Sequence, residues 1–125
     1  WSAVVFIGQC TPCAASSLRK WDRLSRVEGP IAVFLVTTDT KEHVRTFARK
    51  RSLHAPILLD TRGEATRAYN AAWVPRAYLV SPDGRLQYVQ GWSESDLGIP
   101  SKLVEALPTN LRSSITPALA RRRRR

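Results

Sequence analysis

The chain has 125 residues, 43% of them apolar, and a formal net charge of +10. That length suits one domain with a sizeable core, and no apolar run approaches the roughly 18 residues of a membrane-spanning helix. Six of the twenty basic residues and none of the ten acidic ones fall in 109–125, so residues 1–108 carry only fourteen basic against ten acidic side chains and no nucleic-acid partner is expected for the body.

Val4-Val5-Phe6-Ile7 is an apolar, mostly β-branched run that ends at Gly8 and predicts a strand buried on both faces. Gln9-Cys10-Thr11-Pro12-Cys13 follows at once. Ala14, Leu18, Trp21 and Leu24 then recur at spacings of four, three and three, the stripe of an amphipathic helix. Pro12 suits a first helical turn, where its missing N–H costs nothing. The C-x-x-C pair therefore falls where a strand hands over to a helix N-terminus. Unpaired N–H groups and the helix dipole favour negative charge there, which predicts a Cys10 thiol that ionises more easily than a free one. A Cys10 thiolate can attack a disulfide sulfur, and Cys13, one turn on, can resolve the mixed disulfide. On this reading Cys10 is the exposed nucleophile and Cys13 the buried partner. A static disulfide is the bland alternative. Structural zinc needs about four ligands, and the chain adds only His43 and His54, neither spaced as a ligand to the pair, so no metal is expected.

Glu28-Gly29-Pro30 stops the helix, and Ile31 to Val36 reads as a second buried strand. Thr37-Thr38-Asp39-Thr40 offers N-caps for a helix over about 41–52, with Val44, Phe47, Ala48 and Arg51 on one face and His43 on the wet side. Pro56 to Asp60 is a short strand closed by Thr61-Arg62-Gly63. A short helix over 64–71 follows, with Ala65, Ala68 and Tyr69 inward. Ala72-Trp73-Val74-Pro75 leads into the strand Arg76 to Val80. Pro82-Asp83-Gly84 is a hairpin turn before the half-wet strand 86–90. A last helix covers 100–107, and Pro108 ends the domain, leaving 109–125 as a basic, disordered tail whose Arg121–Arg125 block could touch anionic surfaces. The order β-α-β-α-β-α-β-β-α implies an α/β fold with a mixed, mostly parallel central sheet flanked by helices. The chain has no methionine and opens on Trp1 directly before a core strand, which reads as a fragment or processed chain.

This combination resembles the thioredoxin fold. Within it, Phe6 to Cys13, Pro56 to Asp60 with Gly63, Ala68-Tyr69, and Trp73 to Val80 with Pro82-Asp83-Gly84 resemble the TlpA/ResA-like thiol–disulfide oxidoreductases and their redoxin (AhpC/TSA) relatives, which carry an extra strand–helix insertion before the proline. The resemblance covers about 1–107. It implies a cis Val74–Pro75 bond opposite the cysteines, with Gln9, Thr11, Pro12, Trp73, Val74 and Pro75 contacting substrate. It also implies no cofactor beyond a redox-active Cys10–Cys13 disulfide. Two departures stand out: Gln9 occupies the position where the family commonly has Trp, and Val4 the position of the buried thioredoxin carboxylate.

The function this resemblance implies is thiol–disulfide exchange with protein substrates outside the cytoplasm, apocytochrome c or other exported proteins among them, by a monomer recharged by a reducing partner. A peroxiredoxin is the competing enzyme, but its T-x-x-C spacing is unmatched, because Thr11 lies two positions before Cys13. A non-catalytic binding module on the same scaffold is the third reading. Arg76 is expected to favour acidic partners, to support a thiolate, or simply to be solvated.

Overall fold

In the computed structural model the described residues are 1–27, 29, 31–71, 73–91 and 100–122. Glu28 and Pro30 of the helix stop, Ala72, and the last three arginines of the tail lie outside them. The elements are β1 (Ser2–Gly8), a 3-10 turn (Pro12–Ala14), α1 (Ala15–Ser25), β2 (Ala32–Thr37), α2 (Lys41–Arg51), β3 (Ile57–Leu59), α3 (Glu64–Ala68), β4 (Arg76–Val80), β5 (Leu86–Val89), α4 (Pro100–Glu105) and α5 (Thr109–Arg122).

The strands form one sheet in the order β3-β2-β1-β4-β5. The central strand is β1, whose alternation sorts its side chains onto two cores. Ala3, Val5 and Ile7 pack with Leu18, Trp21 and Leu24 of α1, while Phe6 faces Val36, Tyr78 and Ala71. The expected α1 stripe is therefore inward, and β1 is covered on both faces. On the second face the rings of Phe6, Tyr69 and Tyr78 meet pairwise at 5.1–5.6 Å. Such tilted and edge-on contacts add to area burial.

The pairs β1–β2 and β2–β3 are parallel, but β4 runs antiparallel to β1, and β5 antiparallel to β4. The sheet is thus mixed, as expected, with four of its five strands running the same way and β4 alone reversed. The reason lies in α3, which has five residues and spans roughly 8 Å at 1.5 Å per residue. It cannot carry the chain back along a strand, so β4 enters the sheet from the edge where β3 left it. Ala68, expected inward, is exposed because the helix ends with it.

The larger correction concerns the C-terminus. Pro108 does not close the domain: its carbonyl accepts the N–H groups of Leu111 and Arg112, opening α5. Ile115 is fully buried in the main core and Leu111 packs against it. The folded body therefore extends past 108, because Leu111 and Ile115 sit four apart on one helical face.

Candidate active site

All three parallel strands end at one edge, at Gly8, Thr37 and Leu59, and β4 begins there, with Arg76 paired to Phe6. In open α/β sheets the loops beyond the carboxyl ends of the strands build the site. Here they are Gln9–Cys13, Thr38–Thr40 and Trp73–Pro75.

Gly8 joins two of these loops. Its φ is +80°. Its carbonyl accepts the Thr37 hydroxyl at 2.6 Å and the Thr38 N–H at 3.1 Å, tying β1 to β2. A Cβ at Gly8 would stand 2.9 Å from a methyl of Val74, so the strand end and the loop before Pro75 are in direct contact. Both a left-handed φ and a close approach demand glycine here.

Cys10 and Cys13 are joined by a disulfide with Cα atoms 5.3 Å apart. The turn is closed by N–H groups of Cys13 and Ala14, which donate to the carbonyls of Cys10 and Thr11 at 3.2 and 3.1 Å. Residues three apart eclipse in a 3-10 turn. Thr11 and Ala14 accordingly turn inward, while Pro12 and Cys13 are left outside. Two expectations change. Cys13 is the more exposed cysteine and Cys10 is half-buried, the reverse of the sequence reading. Thr11, expected to contact substrate, is fully buried.

Thr11 is held by Asp39, a residue read from the sequence only as an N-cap candidate. The Thr11 N–H and hydroxyl both donate to Asp39 Oδ2, at 3.1 and 2.9 Å. Asp39 Oδ1 accepts the Thr40 N–H at 2.8 Å and lies 2.9 Å from His43 Nδ1. His43 is therefore partnered even though its side chain is largely exposed. Burial pushes the Asp39 carboxyl up. The hydrogen bonds from the Thr11 N–H, His43, the Thr40 N–H and the Thr11 hydroxyl outweigh it and lower the pKa to about 2. The helix cap itself is Thr40, whose Oγ1 accepts the His43 N–H.

Val74–Pro75 is a cis bond, as expected. Gln9, Pro12 and Val74 are exposed, and Trp73 and Pro75 half-buried, around the same strand edge. Arg76 places its guanidinium 4.9 Å from the Trp73 ring centre and donates to the carbonyls of Asn70 and Gln90 at 2.7 and 3.2 Å. It fastens the Trp73 loop. Val4, at the position of the missing carboxylate, packs beside the aromatic cluster. A cleft of about 470 Å³ lined by Ser25, Arg26, Ile31, Val33, His54 and Pro56 opens at the opposite edge of the sheet. Among the described residues no group of three or more His, Cys, Asp or Glu side chains could hold a metal ion, and no helix is long and apolar enough to cross a membrane.

The sequence matches the model of the AhpC/TSA family over residues 1–89. Among solved structures the chain is similar to StoA from Bacillus subtilis, at 18% identity and a TM-score of 0.66, with 84% of this chain and 80% of that one covered. It is also similar to the pneumococcal exposed lipoprotein thioredoxin Etrx1 from Streptococcus pneumoniae (15% identity, TM-score 0.65, 85% and 84% covered). A thioredoxin-related protein from Neisseria meningitidis serogroup B is a further neighbour (17% identity, TM-score 0.62, 90% and 84% covered). These likenesses establish the thioredoxin-like fold. No curated protein matches the chain.

Proposed function

This chain belongs to the AhpC/TSA family as a thioredoxin-fold thiol–disulfide oxidoreductase, and from that premise we propose that it reduces disulfides in protein substrates through Cys10 and Cys13. The observation that carries the reading is the Cys10–Cys13 disulfide at the carboxyl edge of the sheet, just past Gly8, which the exposed Val74 approaches closely.

In the reduced protein the Cys10 thiol, ahead of the turn, gives up its proton as it attacks one sulfur of the substrate disulfide. A Cys10–substrate disulfide forms as the first substrate thiolate leaves. Cys13, deprotonated in turn, attacks the Cys10 sulfur, closing the Cys10–Cys13 disulfide and expelling the second substrate thiolate. Two electrons pass to the substrate, and the two protons of the dithiol end on its thiols. A reducing partner reverses the exchange. Gln9, Pro12, Trp73, Val74 and Pro75 form the rim that receives the substrate backbone and its apolar side chains, with Thr11 acting only from beneath.

The substrates are disulfides of exported proteins, apocytochrome c among them, and the protein works outside the cytoplasm as a monomer. The TlpA/ResA-like motifs and the neighbour described as an exposed lipoprotein support this compartment. Reduction of insulin disulfides by dithiothreitol, with and without catalytic amounts of protein, tests the reading. The wild type accelerates it and Cys10→Ser does not; undiminished activity in Cys10→Ser overturns the assignment. Consumption of hydrogen peroxide at a rate above that of insulin reduction would instead make it a peroxidase.

A further inference from the structure

Resting on that reading, we propose that Asp39 is a positioning residue for the dithiol: its carboxylate claims the Thr11 amide from beneath the turn and holds negative charge against Cys10, keeping Cys10 a thiol and making the protein a reductant. A short turn after a strand ordinarily leaves its first N–H groups free to stabilise an anion. Here the amide next to Cys10 is already bonded to a carboxylate, and so is the Thr11 hydroxyl. Asp39 is buried, and it is fixed from three sides, by Thr11, by its own N–H on the Thr37 hydroxyl, and by Thr40 with His43. None of these bonds involves either sulfur, so opening the disulfide breaks none of them.

The other charged groups nearby bond elsewhere or meet the other carboxylate oxygen. On α2, His43 meets the opposite oxygen, Oδ1. At the start of β4, Arg76 donates to the Asn70 and Gln90 carbonyls. From β1 and β2 the network receives only the neutral Gly8 carbonyl and Thr37 hydroxyl. Lys41 and Glu42, of opposite charge, are exposed in the first turn of α2, and Cys13 is the other thiol of the turn.

Covalent geometry keeps the Cys10 sulfur within about 5 Å of the Thr11 nitrogen, so a carboxylate oxygen 3.1 Å from that nitrogen lies no more than about 8 Å from the sulfur. At an effective dielectric of about 20 the repulsion between two anions at that range moves a thiol titration by about one to two units. Destabilising the thiolate destabilises the reduced protein, which lowers its reduction potential wherever the thiolate would be populated.

The test is Asp39→Asn, which is nearly isosteric and removes the charge. Two quantities are read: the Cys10 thiolate absorbance against pH, and the equilibrium between protein and glutathione at several pH values. The variant's Cys10 titrates about one unit lower. Its glutathione equilibrium shifts roughly tenfold toward the reduced protein near pH 9, about 30 mV for this two-electron couple, and hardly at all near pH 6, where both proteins are dithiols. A purely structural Asp39 would lower the melting temperature and leave both readings unmoved, and that result overturns the proposal. The wild type supplies a second reading that needs no variant. Its Cys10 titrates near or above the free thiol value of about 8.5, and a value below about 7, like those of thiols activated at helix N-termini, would contradict the proposal. Neither reading uses a protein substrate, so failure of insulin reduction would count against the proposed function alone.

Discussion

Gly8→Ala probes the contact that brings the cysteine turn and the Val74–Pro75 loop together. Two costs are expected. The +80° φ of Gly8 is strained for any residue with a Cβ, by about 1–2 kcal/mol. The new methyl also meets Val74 Cγ2 at 2.9 Å, a distance that requires movement, and overpacking of this kind costs about 1–3 kcal/mol. The single variant should lose about 2–5 kcal/mol in urea unfolding. Val74→Ala removes both γ carbons and leaves Cβ 3.6 Å from the new methyl, an ordinary contact. The steric part then vanishes while the backbone part stays. Gly8→Ala with Val74→Ala should accordingly be more stable than the sum of the two singles by about 1 kcal/mol or more. Additivity within about 0.5 kcal/mol would refute the claim that Gly8 is required by the approach of Val74.

Three carboxyls make the fold acid-sensitive. Burial pushes Asp22, Asp39 and Asp60 up, and hydrogen bonds, chiefly from the Ala55 amide, the Thr11 amide and the Thr66 hydroxyl respectively, overcome it and hold all three below the usual carboxylate range. Groups lowered by folding stabilise it above their unfolded value of about 4 and lose that contribution as pH falls through their folded values. The urea midpoint should hold from neutral pH to about 5 and fall below about 4; an unchanged midpoint at pH 3 would contradict this. Ile115→Ala should cost about 2–4 kcal/mol because the side chain is fully buried against the main core. Truncation after residue 108 with no loss of melting temperature would contradict the packing of α5.

The sequence was most legible where one residue type answers one local demand. Val4 to Gly8, the Ala14–Leu18–Trp21–Leu24 stripe and the Pro82-Asp83-Gly84 turn each carry their own period or turn chemistry, and each element formed where it was expected. The direction of β4 was harder to read. It depends on α3 being a helix of only five residues, and helix ends are weakly encoded. The last helix was hidden by Pro108, which can stop one helix or open the next, and by an arginine block that masks Leu111 and Ile115. Cys10, Cys13 and the Val74–Pro75 bond stood out in the sequence, whereas Asp39 did not. It lies 28 residues from Thr11, and the β1–β2 register, with Gly8 beside Thr37, brings the two together. One signal was available: an acidic residue just past the second parallel strand sits at the carboxyl edge of the sheet, where the cysteines had already been expected.

The central claim is that Cys10 attacks and Cys13 resolves, although Cys13 is the more exposed of the two. The most direct measurement is intact-mass analysis of the Cys10→Ser and Cys13→Ser proteins after each, reduced, meets a disulfide-bonded protein substrate. The Cys13→Ser protein should accumulate a mixed disulfide through Cys10, while the Cys10→Ser protein stays unmodified. Accumulation on Cys13 in Cys10→Ser, with none on Cys10 in Cys13→Ser, would reverse the order of attack and contradict the account.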